Sequence, residues 1–330
     1  MGMLDAWGDH PAVLETLREA SDALGEDIGR LIHKGPREAL ALTTNTQPVM
    51  LVAGVAAYRV WRAEGGAEPA VVAGHSLGEY AALVASGVLT LAQAAPLVRF
   101  RAAAMQEAVP VGAGAMAAIL GLDAAGVIAG CAEAQASFGA GSAEVVEAAN
   151  FNDSAQTVIA GSKAAVDKAC EVLKARGAKR ALPLAVSAPF HSSLMKPAAE
   201  KLREKLAGIE LLTPVIPVIN NIDVKVEHTA DGIRDALYRQ AFGPVRWVEC
   251  IRAIKSQGVT TVIECGPGKV LAGMVKRIDA EMTGAALFDP ATLNEVKGLL
   301  SCMKPDLRGR SPWSPAPPVA LAPPLPWNSP

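Results

Sequence analysis

The stretch AVVAGHSLGEYAALVAS, residues 70–86, decides the fold and places one serine at a sharp turn. Residues 70–73 are small and apolar, as in a short buried strand, and the Ala- and Leu-rich residues 79–86 are typical of a helix. The residues between them have the Gly-x-Ser-x-Gly spacing of a nucleophile elbow. Because glycine lacks a Cβ, the chain can turn sharply and present Ser76 beside a helix N-terminus. The alternative is an ordinary strand–turn–helix whose serine caps the helix.

Composition and charge exclude several classes of protein. The chain has 330 residues, 51% of them hydrophobic, and a formal net charge of −2. Abundant Ala, Val and Leu suit an α/β protein with buried parallel strands, and the near-zero charge gives no indication of a nucleic-acid partner. The N-terminus has no signal pattern, and the longest apolar run, residues 49–57, is too short to span a bilayer. We therefore expect a cytoplasmic protein that binds neither membrane nor nucleic acid.

The cysteines and a glycine-rich turn give no cofactor site. Five cysteines are scattered along the chain without a Cys-x-x-Cys pair, so neither a disulfide framework nor a metal site is predicted. The sequence GPGK at 266–269 resembles part of a phosphate loop, but Val270 stands where such a loop needs Ser or Thr. We interpret it as a turn.

The order of predicted elements indicates a small domain inserted into a larger one. Residues 113–185 alternate strand, helix, strand, strand, helix and strand, which is the ferredoxin-like order. Residues 1–112 and 186–290 are predicted to form one large α/β domain with a parallel sheet. Residues 302–330 are rich in proline and have no apolar period, so we expect a disordered tail.

A serine nucleophile needs a base, and a buried arginine would indicate an anionic substrate. His191 follows a loop of small residues and a proline, which suits a fixed catalytic group, although a surface histidine is equally consistent. Arg101 lies on the predicted helix after the elbow. Because Arg99 and Arg101 are about 200° apart on that helix, at most one of them faces inward. A solvated arginine is the commoner case.

Longer stretches resemble the malonyl-CoA:acyl carrier protein transacylases of fatty acid synthesis. The resemblance runs through most of residues 1–290 and is far more specific than the elbow alone. The matching stretches are GHSLGEYAALVASG (74–87), MQEAVP (105–110), GAMAAILG (114–121), NFNDSAQTVIAG (150–161), APFHSSLMKPAA (188–199), PVINN (217–221) and ECGPGKVLAGMVKRI (264–278).

The resemblance implies an α/β-hydrolase-like core with a ferredoxin-like insert, and it implies roles for four residues. Ser76 would carry the malonyl group as an ester. His191 would act as base and then as acid, with its ring oriented by a backbone carbonyl rather than by an aspartate. The backbone N–H of Leu77 would form half of the oxyanion hole, and Arg101 would hold the malonyl carboxylate.

The resemblance also implies substrates and further binding residues. The substrates would be malonyl-CoA and acyl carrier protein, handled by a monomer without a bound cofactor. Lys196 is a candidate contact for the carrier protein. Arg246 stands where we align a family glutamine that positions the histidine, and Phe190 resembles the malonyl-selecting form of its loop. The implied substrate-binding residues besides Arg101 are Phe190, His75, Asn220 and Arg246.

The chain departs from the family pattern at its start. The family opens with a strand and a Gly-Gln-Gly-Ser-Gln turn that supplies the second oxyanion donor, whereas this sequence begins MGML. We expect unpaired backbone groups beside the strand at 70–73, and a natural start upstream of Met1. Two alternatives remain open at this point: a serine thioesterase or hydrolase, and an impaired homologue that only binds carrier protein.

Overall fold

A computed structural model describes residues 1–186, 188–302 and 319–322 of the chain. In this described part, the strands form a parallel sheet and an antiparallel sheet. The strands are β1 (Val71–Ala73), β2 (Gly114–Leu120), β3 (Val146–Asp153), β4 (Gln156–Ser162), β5 (Arg180–Pro183), β6 (Val218–Ile219), β7 (Thr261–Cys265), β8 (Thr283–Leu287) and β9 (Val319–Ala322).

Helices cover both sheets. The α-helices are α1 (Pro11–Leu24), α2 (Ile28–Lys34), α3 (Arg37–Ala41), α4 (Thr43–Ala63), α5 (Gly78–Ala85), α6 (Leu91–Glu107), α7 (Ala124–Ala136), α8 (Lys163–Ala175), α9 (Lys196–Ala207), α10 (Ala230–Phe242), α11 (Trp247–Ser256), α12 (Val270–Ile278) and α13 (Pro290–Cys302).

The parallel sheet carries the elbow. Its strand order is β6-β1-β9-β7-β8, and every pairing in it is parallel. Strand β1 is buried along its whole length, which explains its run of small apolar residues without polar alternation. The carboxyl end of β1 leads directly into Ser76. The elbow therefore lies at the edge of the sheet where parallel α/β folds bind their ligands.

The antiparallel sheet has the order β3-β4-β2-β5, with α7 and α8 packed against it. Its element order along the chain is strand, helix, strand, strand, helix, strand, as in a ferredoxin-like fold. The predicted fold class, an α/β-hydrolase-like core with such an insert, is confirmed. The boundaries at residues 112, 185 and 290 stay predictions. Strand β3 reaches the larger part of the molecule through the Phe151 N–H, which donates to the Val245 carbonyl at 2.9 Å.

Helices α4 and α6 pack on α5 and position the back of the site. Helix α4 is apolar on most faces and is buried along most of its length. Helix α6 begins with a capping box, in which Thr90 and Gln93 each bond the other's backbone N–H. Its interior carries Arg101 into the core.

The C-terminal segment corrects two expectations. A disordered tail was predicted from residue 302, yet Val319–Ala322 forms β9 between β1 and β7. Unpaired backbone was expected beside β1, yet β1 pairs with β6 on one side and β9 on the other. A short apolar segment between prolines can form a strand where two parallel strands leave room between them. A prediction from composition does not detect such a strand. The predicted tail at 303–318 and 323–330 lies outside the described residues.

No helix in the described ranges is long and apolar enough to cross a membrane. Cys131, Cys170, Cys250 and Cys265 are free thiols.

Candidate active site

The elbow has the strained geometry that its sequence predicts. Ser76 has a φ of 53°, in the left-handed region that side chains rarely adopt. The turn is so tight that a Cβ on Gly74 would lie 1.9 Å from the carbonyl carbon of Gly78. Only glycine fits at position 74, which explains the motif physically. Together these features hold the Ser76 hydroxyl at the tip, immediately before α5.

Ser76 meets His191, as the sequence predicts, in a buried pair. The Ser76 Oγ and the His191 Nε2 are 2.6 Å apart, and both residues are buried. The His191 Nδ1 lies 2.9 Å from the backbone carbonyl oxygen of Gln240. Since that oxygen only accepts, Nδ1 carries the proton and Nε2 is free to accept the serine proton. Burial, with a smaller effect from Arg101, lowers the pKa of His191 to about 3, so the ring is neutral at pH 7.

The position that orients the histidine corrects one prediction. Arg246 was aligned with that role, but its guanidinium pairs with the Glu249 carboxylate and donates to the Ile222 carbonyl at 3.2 Å. The carbonyl that orients the ring belongs to Gln240, in the last turn of α10. Carbonyls in the last turn of a helix have no partner within the helix and are available to side chains. The alignment of Arg246 with the histidine-positioning residue is therefore wrong, and its predicted part in substrate binding stays a prediction.

Arg101 lies beside the catalytic pair and is buried in the core. Its Nη1 donates to the Gln47 Oε1 at 2.6 Å, and its Nη2 lies 3.2 Å from the Gln240 Oε1 and 3.3 Å from the Ser76 Oγ. All three acceptors are neutral. Burial lowers the pKa of Arg101, but an arginine so far above neutrality stays charged. Arg99 instead pairs with the surface residue Glu26, so only Arg101 faces inward.

A buried polar network that the sequence analysis missed surrounds the pair. The Asn221 Oδ1 accepts from the Ser76 N–H at 2.7 Å, and the Asn221 Nδ2 donates to the Gly74 carbonyl at 2.8 Å. The Gln240 Nε2 donates to the Ser76 carbonyl at 2.9 Å and to the Glu79 Oε2 at 3.0 Å. One signal was present in the sequence: a charged residue, Glu79, follows the elbow inside a helix that is otherwise apolar.

Two of the other predicted site residues lie beside the catalytic pair. Phe190 and Leu77 line a small cleft with Ser76 and Arg101. Leu77 also precedes α5, where backbone N–H groups have no acceptor within the helix and favour negative charge.

His75 and Asn220 make other contacts. The His75 Nε2 bonds the Asn152 Oδ1 at 2.9 Å, and burial lowers the pKa of His75 to about 4. Asn220 accepts from the Asp223 N–H at 2.8 Å, while its neighbour Asn221 contacts the elbow. The predicted part of His75 and Asn220 in substrate binding stays a prediction.

Comparisons with known proteins agree with this geometry. The family described as acyl transferase domain matches residues 10–309. The malonyl CoA-acyl carrier protein transacylase of Escherichia coli K12 is 51% identical over 294 residues, which cover 89% of this chain and 93% of the relative.

Solved structures give the same result. An acyl-carrier-protein S-malonyltransferase from Burkholderia pseudomallei 1710b is 64% identical with a TM-score of 0.87, covering 90% of this chain and 94% of that one. A malonyl-transacylase solved in complex with a type II PKS acyl-carrier protein is 49% identical with a TM-score of 0.86, covering 89% of this chain and 94% of that one. The chain therefore belongs to the acyl transferase domain family and, within it, to the malonyl CoA-acyl carrier protein transacylases.

Proposed function

We propose that this chain transfers the malonyl group from malonyl-CoA to the phosphopantetheine thiol of acyl carrier protein, through a malonyl ester on Ser76. The observation that carries the proposal is the convergence of three groups on one oxygen. The Ser76 Oγ lies 2.6 Å from a neutral imidazole nitrogen and 3.3 Å from a buried guanidinium nitrogen. The nucleophile, the base and the anion-binding group are therefore close enough to contact one bound acyl group at the same time.

In the first half-reaction, the His191 Nε2 takes the Ser76 proton while Oγ attacks the thioester carbonyl carbon. The carbonyl oxygen becomes an oxyanion, and the backbone N–H of Leu77, immediately before α5, is positioned to stabilise it. The carbon–sulfur bond then breaks, and the imidazolium returns its proton to the departing CoA sulfur. The product is malonyl-Ser76 and free CoA.

The second half-reaction reverses these steps with a different thiol. His191 takes the proton of the phosphopantetheine thiol, and the sulfur attacks the ester carbonyl. The bond to Oγ breaks, and Ser76 recovers its proton from the imidazolium. No redox step occurs, so the cycle needs no cofactor beyond the CoA thioester substrate. One histidine acts as base and acid in turn because the Gln240 carbonyl accepts from its Nδ1–H throughout, which leaves Nε2 to take and return the proton.

Arg101 selects the malonyl group. Its guanidinium is held in place by two neutral amides, those of Gln47 and Gln240, and can therefore form a charged hydrogen bond with a substrate carboxylate. An uncharged acetyl group would leave the buried guanidinium without a carboxylate hydrogen-bond partner in the cleft, which is costly in a low-dielectric site. Phe190, which lines the same cleft, limits the space available to bulkier groups.

We further propose a monomeric, cytoplasmic enzyme. Ser76, His191 and Arg101 come from one chain, so a second copy is not needed to complete the site. The free thiols of the described cysteines are consistent with a reducing compartment. Carrier proteins of this class are acidic, and the exposed Lys196, at the start of α9 and close in sequence to His191, offers an attractive charge for docking.

A transfer assay tests the function. The purified chain is mixed with malonyl-CoA and holo acyl carrier protein, and malonyl-carrier protein and free malonate are both quantified by mass spectrometry. We expect malonyl-carrier protein to form faster than malonate, and to require Ser76. A product that is mostly malonate would indicate a hydrolase instead, and carrier-protein binding without transfer would indicate an inactive homologue.

A further inference from the structure

Glu79 is a buried carboxylate at the centre of the network around the catalytic pair. It lies in the first turn of α5, just after Ser76, and is 2% exposed. Its Oε2 accepts from the backbone N–H of Asn221 at 2.9 Å and from the Gln240 Nε2 at 3.0 Å. One oxygen thus joins the segment that follows β6 to helix α10.

Each of the two groups that Glu79 holds contacts the reacting residues. Asn221 accepts from the Ser76 N–H at 2.7 Å. Gln240 orients His191 through its backbone carbonyl at 2.9 Å and holds Arg101 through its Oε1 at 3.2 Å. Ser76, His191 and Arg101 therefore each contact a residue that is hydrogen-bonded to the same carboxylate oxygen of Glu79.

A buried carboxylate is costly, so its presence here needs a reason. Burial raises the pKa of Glu79 to about 7, against the opposing effect of its hydrogen bonds and of Arg101. An apolar residue would pack in this helix without that cost, but it would leave the Gln240 Nε2 and the Asn221 N–H short of an acceptor.

We propose that Glu79 is a positioning residue, which fixes Gln240 and Asn221 and through them the geometry of His191, Ser76 and Arg101. The inference rests on the proposed malonyl transfer. Glu79 does not touch the substrate, and its effect on the rate passes through the two side chains it holds.

The test compares Glu79→Ala, Glu79→Gln and a matched control, Glu264→Ala. Glu264 is also buried, and burial also raises its pKa to about 7, but it accepts from the Ala272 N–H of α12, away from the catalytic pair. We measure the single-turnover rate of Ser76 acylation per folded molecule. We expect Glu79→Ala to lower it by about 100-fold, because small misplacements cost that much. Glu79→Gln keeps an amide oxygen as acceptor and should stay within about threefold of wild type, as should Glu264→Ala.

A double-mutant cycle with Gln240→Ala separates positioning from a general structural role. If Glu79 acts through Gln240, the double variant loses little more than the worse single variant. Losses that multiply would overturn the inference, and so would a wild-type rate in Glu79→Ala. Wild-type transfer is measured first: if it is absent, the proposed function fails, whereas normal transfer with an insensitive Glu79→Ala overturns only this inference.

A second inference rests on an independent observation, the place of β9 in the sheet. Val319–Ala322, near the end of the chain, forms a central strand rather than an edge strand. Val71 and Val72 of β1 are in register with Ala320 and Leu321, and the other side of β9 pairs with β7. Helix α5, which follows the elbow in the chain, also lies against β9.

We infer that β9 supports the elbow, so that the C-terminal segment of this chain is required for its activity. Strand β1 has only three residues and is the direct support of Ser76. Removing a central neighbour would leave its backbone groups unpaired in the core of the molecule, where each such group carries a large desolvation cost.

The experiment uses the full chain with Ala320→Pro, which removes a backbone N–H from β9, and Ala316→Pro as the matched control outside it. We expect Ala320→Pro to lower the rate of Ser76 acylation by about tenfold or more. The rate of Ala316→Pro should stay within about threefold of wild type. Hydrogen exchange on the unmodified chain gives a second measurement that does not depend on the variant folding. Slow exchange of the 320–322 amides is expected. Fast exchange there, or equal activities of the two variants, would overturn the inference.

Discussion

The Ser76 Oγ lies 2.6 Å from the His191 Nε2, although the two residues are far apart in the chain. Strand β1 and the loop before α9 bring them together, and both residues have a positive φ, 53° for Ser76 and 61° for His191. Such conformations persist only where the surrounding structure enforces them, and they concentrate at functional sites. In the described ranges, three non-glycine residues have a positive φ, and two of them, Ser76 and His191, are the residues that the mechanism needs.

Removing the base should slow the chemical step. His191→Ala leaves the serine hydroxyl without a proton acceptor, and general-base catalysis contributes about 10²- to 10⁴-fold to such a rate. We expect a loss of that size in the acylation rate constant from rapid-quench measurements, with His228→Gln as the histidine control. Comparable rates for the two variants would rule out His191 as the base.

Arg101 should control the choice between malonyl and acetyl groups. Arg101→Ala removes the guanidinium that faces the cleft, so kcat/KM for malonyl-CoA should fall by at least about 100-fold, while that for acetyl-CoA changes by less than about threefold. Arg99→Ala, two residues away and paired with Glu26 at the surface, is the matched control. Equal losses for both substrates would indicate that Arg101 supports the fold rather than substrate selection.

The elbow should not tolerate a methyl group at position 74. A Cβ there would lie 1.9 Å from the Gly78 backbone, whereas a Cβ on Gly268 would meet nothing within 4 Å. Overpacking of this kind costs about 1–3 kcal/mol or more, so Gly74→Ala should lower the free energy of unfolding by at least about that amount. Gly268→Ala should change it by less than about 0.5 kcal/mol. Urea denaturation of both variants measures the difference, and similar midpoints would contradict the close approach.

His75 should make the protein sensitive to acid. Burial lowers its pKa to about 4, whereas an unfolded histidine titrates near about 6.5. Between these two pH values the unfolded chain binds a proton that the folded chain does not, so the contribution of His75 to stability is present above pH about 6.5 and is lost as the pH falls.

The variant His75→Gln isolates that contribution, because a glutamine amide can still donate to the Asn152 carbonyl oxygen. Urea unfolding of wild type and variant is compared between about pH 7 and about pH 4.5. We expect wild type to lose stability relative to the variant as the pH falls. Parallel stability curves would show that His75 is not buried in its neutral form.

The elbow could be predicted from a local pattern, whereas the roles of His191 and Arg101 came from the family resemblance, because the residues around them fitted a surface histidine and a solvated arginine equally well or better. Gly74 and Gly78 indicate a close approach in the backbone. An arginine in a helix is either solvated or buried at a site that binds an anion, and its local sequence does not distinguish the two. The histidine-orienting carbonyl of Gln240 could not be predicted, since any residue has a carbonyl and only the end of α10 makes this one available.

Strand β9 escaped prediction for a different reason. Four apolar residues between prolines have no periodicity long enough to favour a strand, and their pairing depends on an open position between β1 and β7 that only the folded sheet defines. Glu79 was visible in the sequence as a charge inside an apolar helix. Its two acceptor contacts, however, are to residues that the sequence places far away.

We propose that Ser76 carries the malonyl group, is activated by His191, and receives a group selected by Arg101. Intact-mass spectrometry of the purified 330-residue chain after brief mixing with malonyl-CoA tests it most directly. We expect one malonyl adduct, absent from Ser76→Ala and displaced when holo acyl carrier protein is added. An adduct that persists in Ser76→Ala, or no adduct on a folded wild-type chain, would contradict the account.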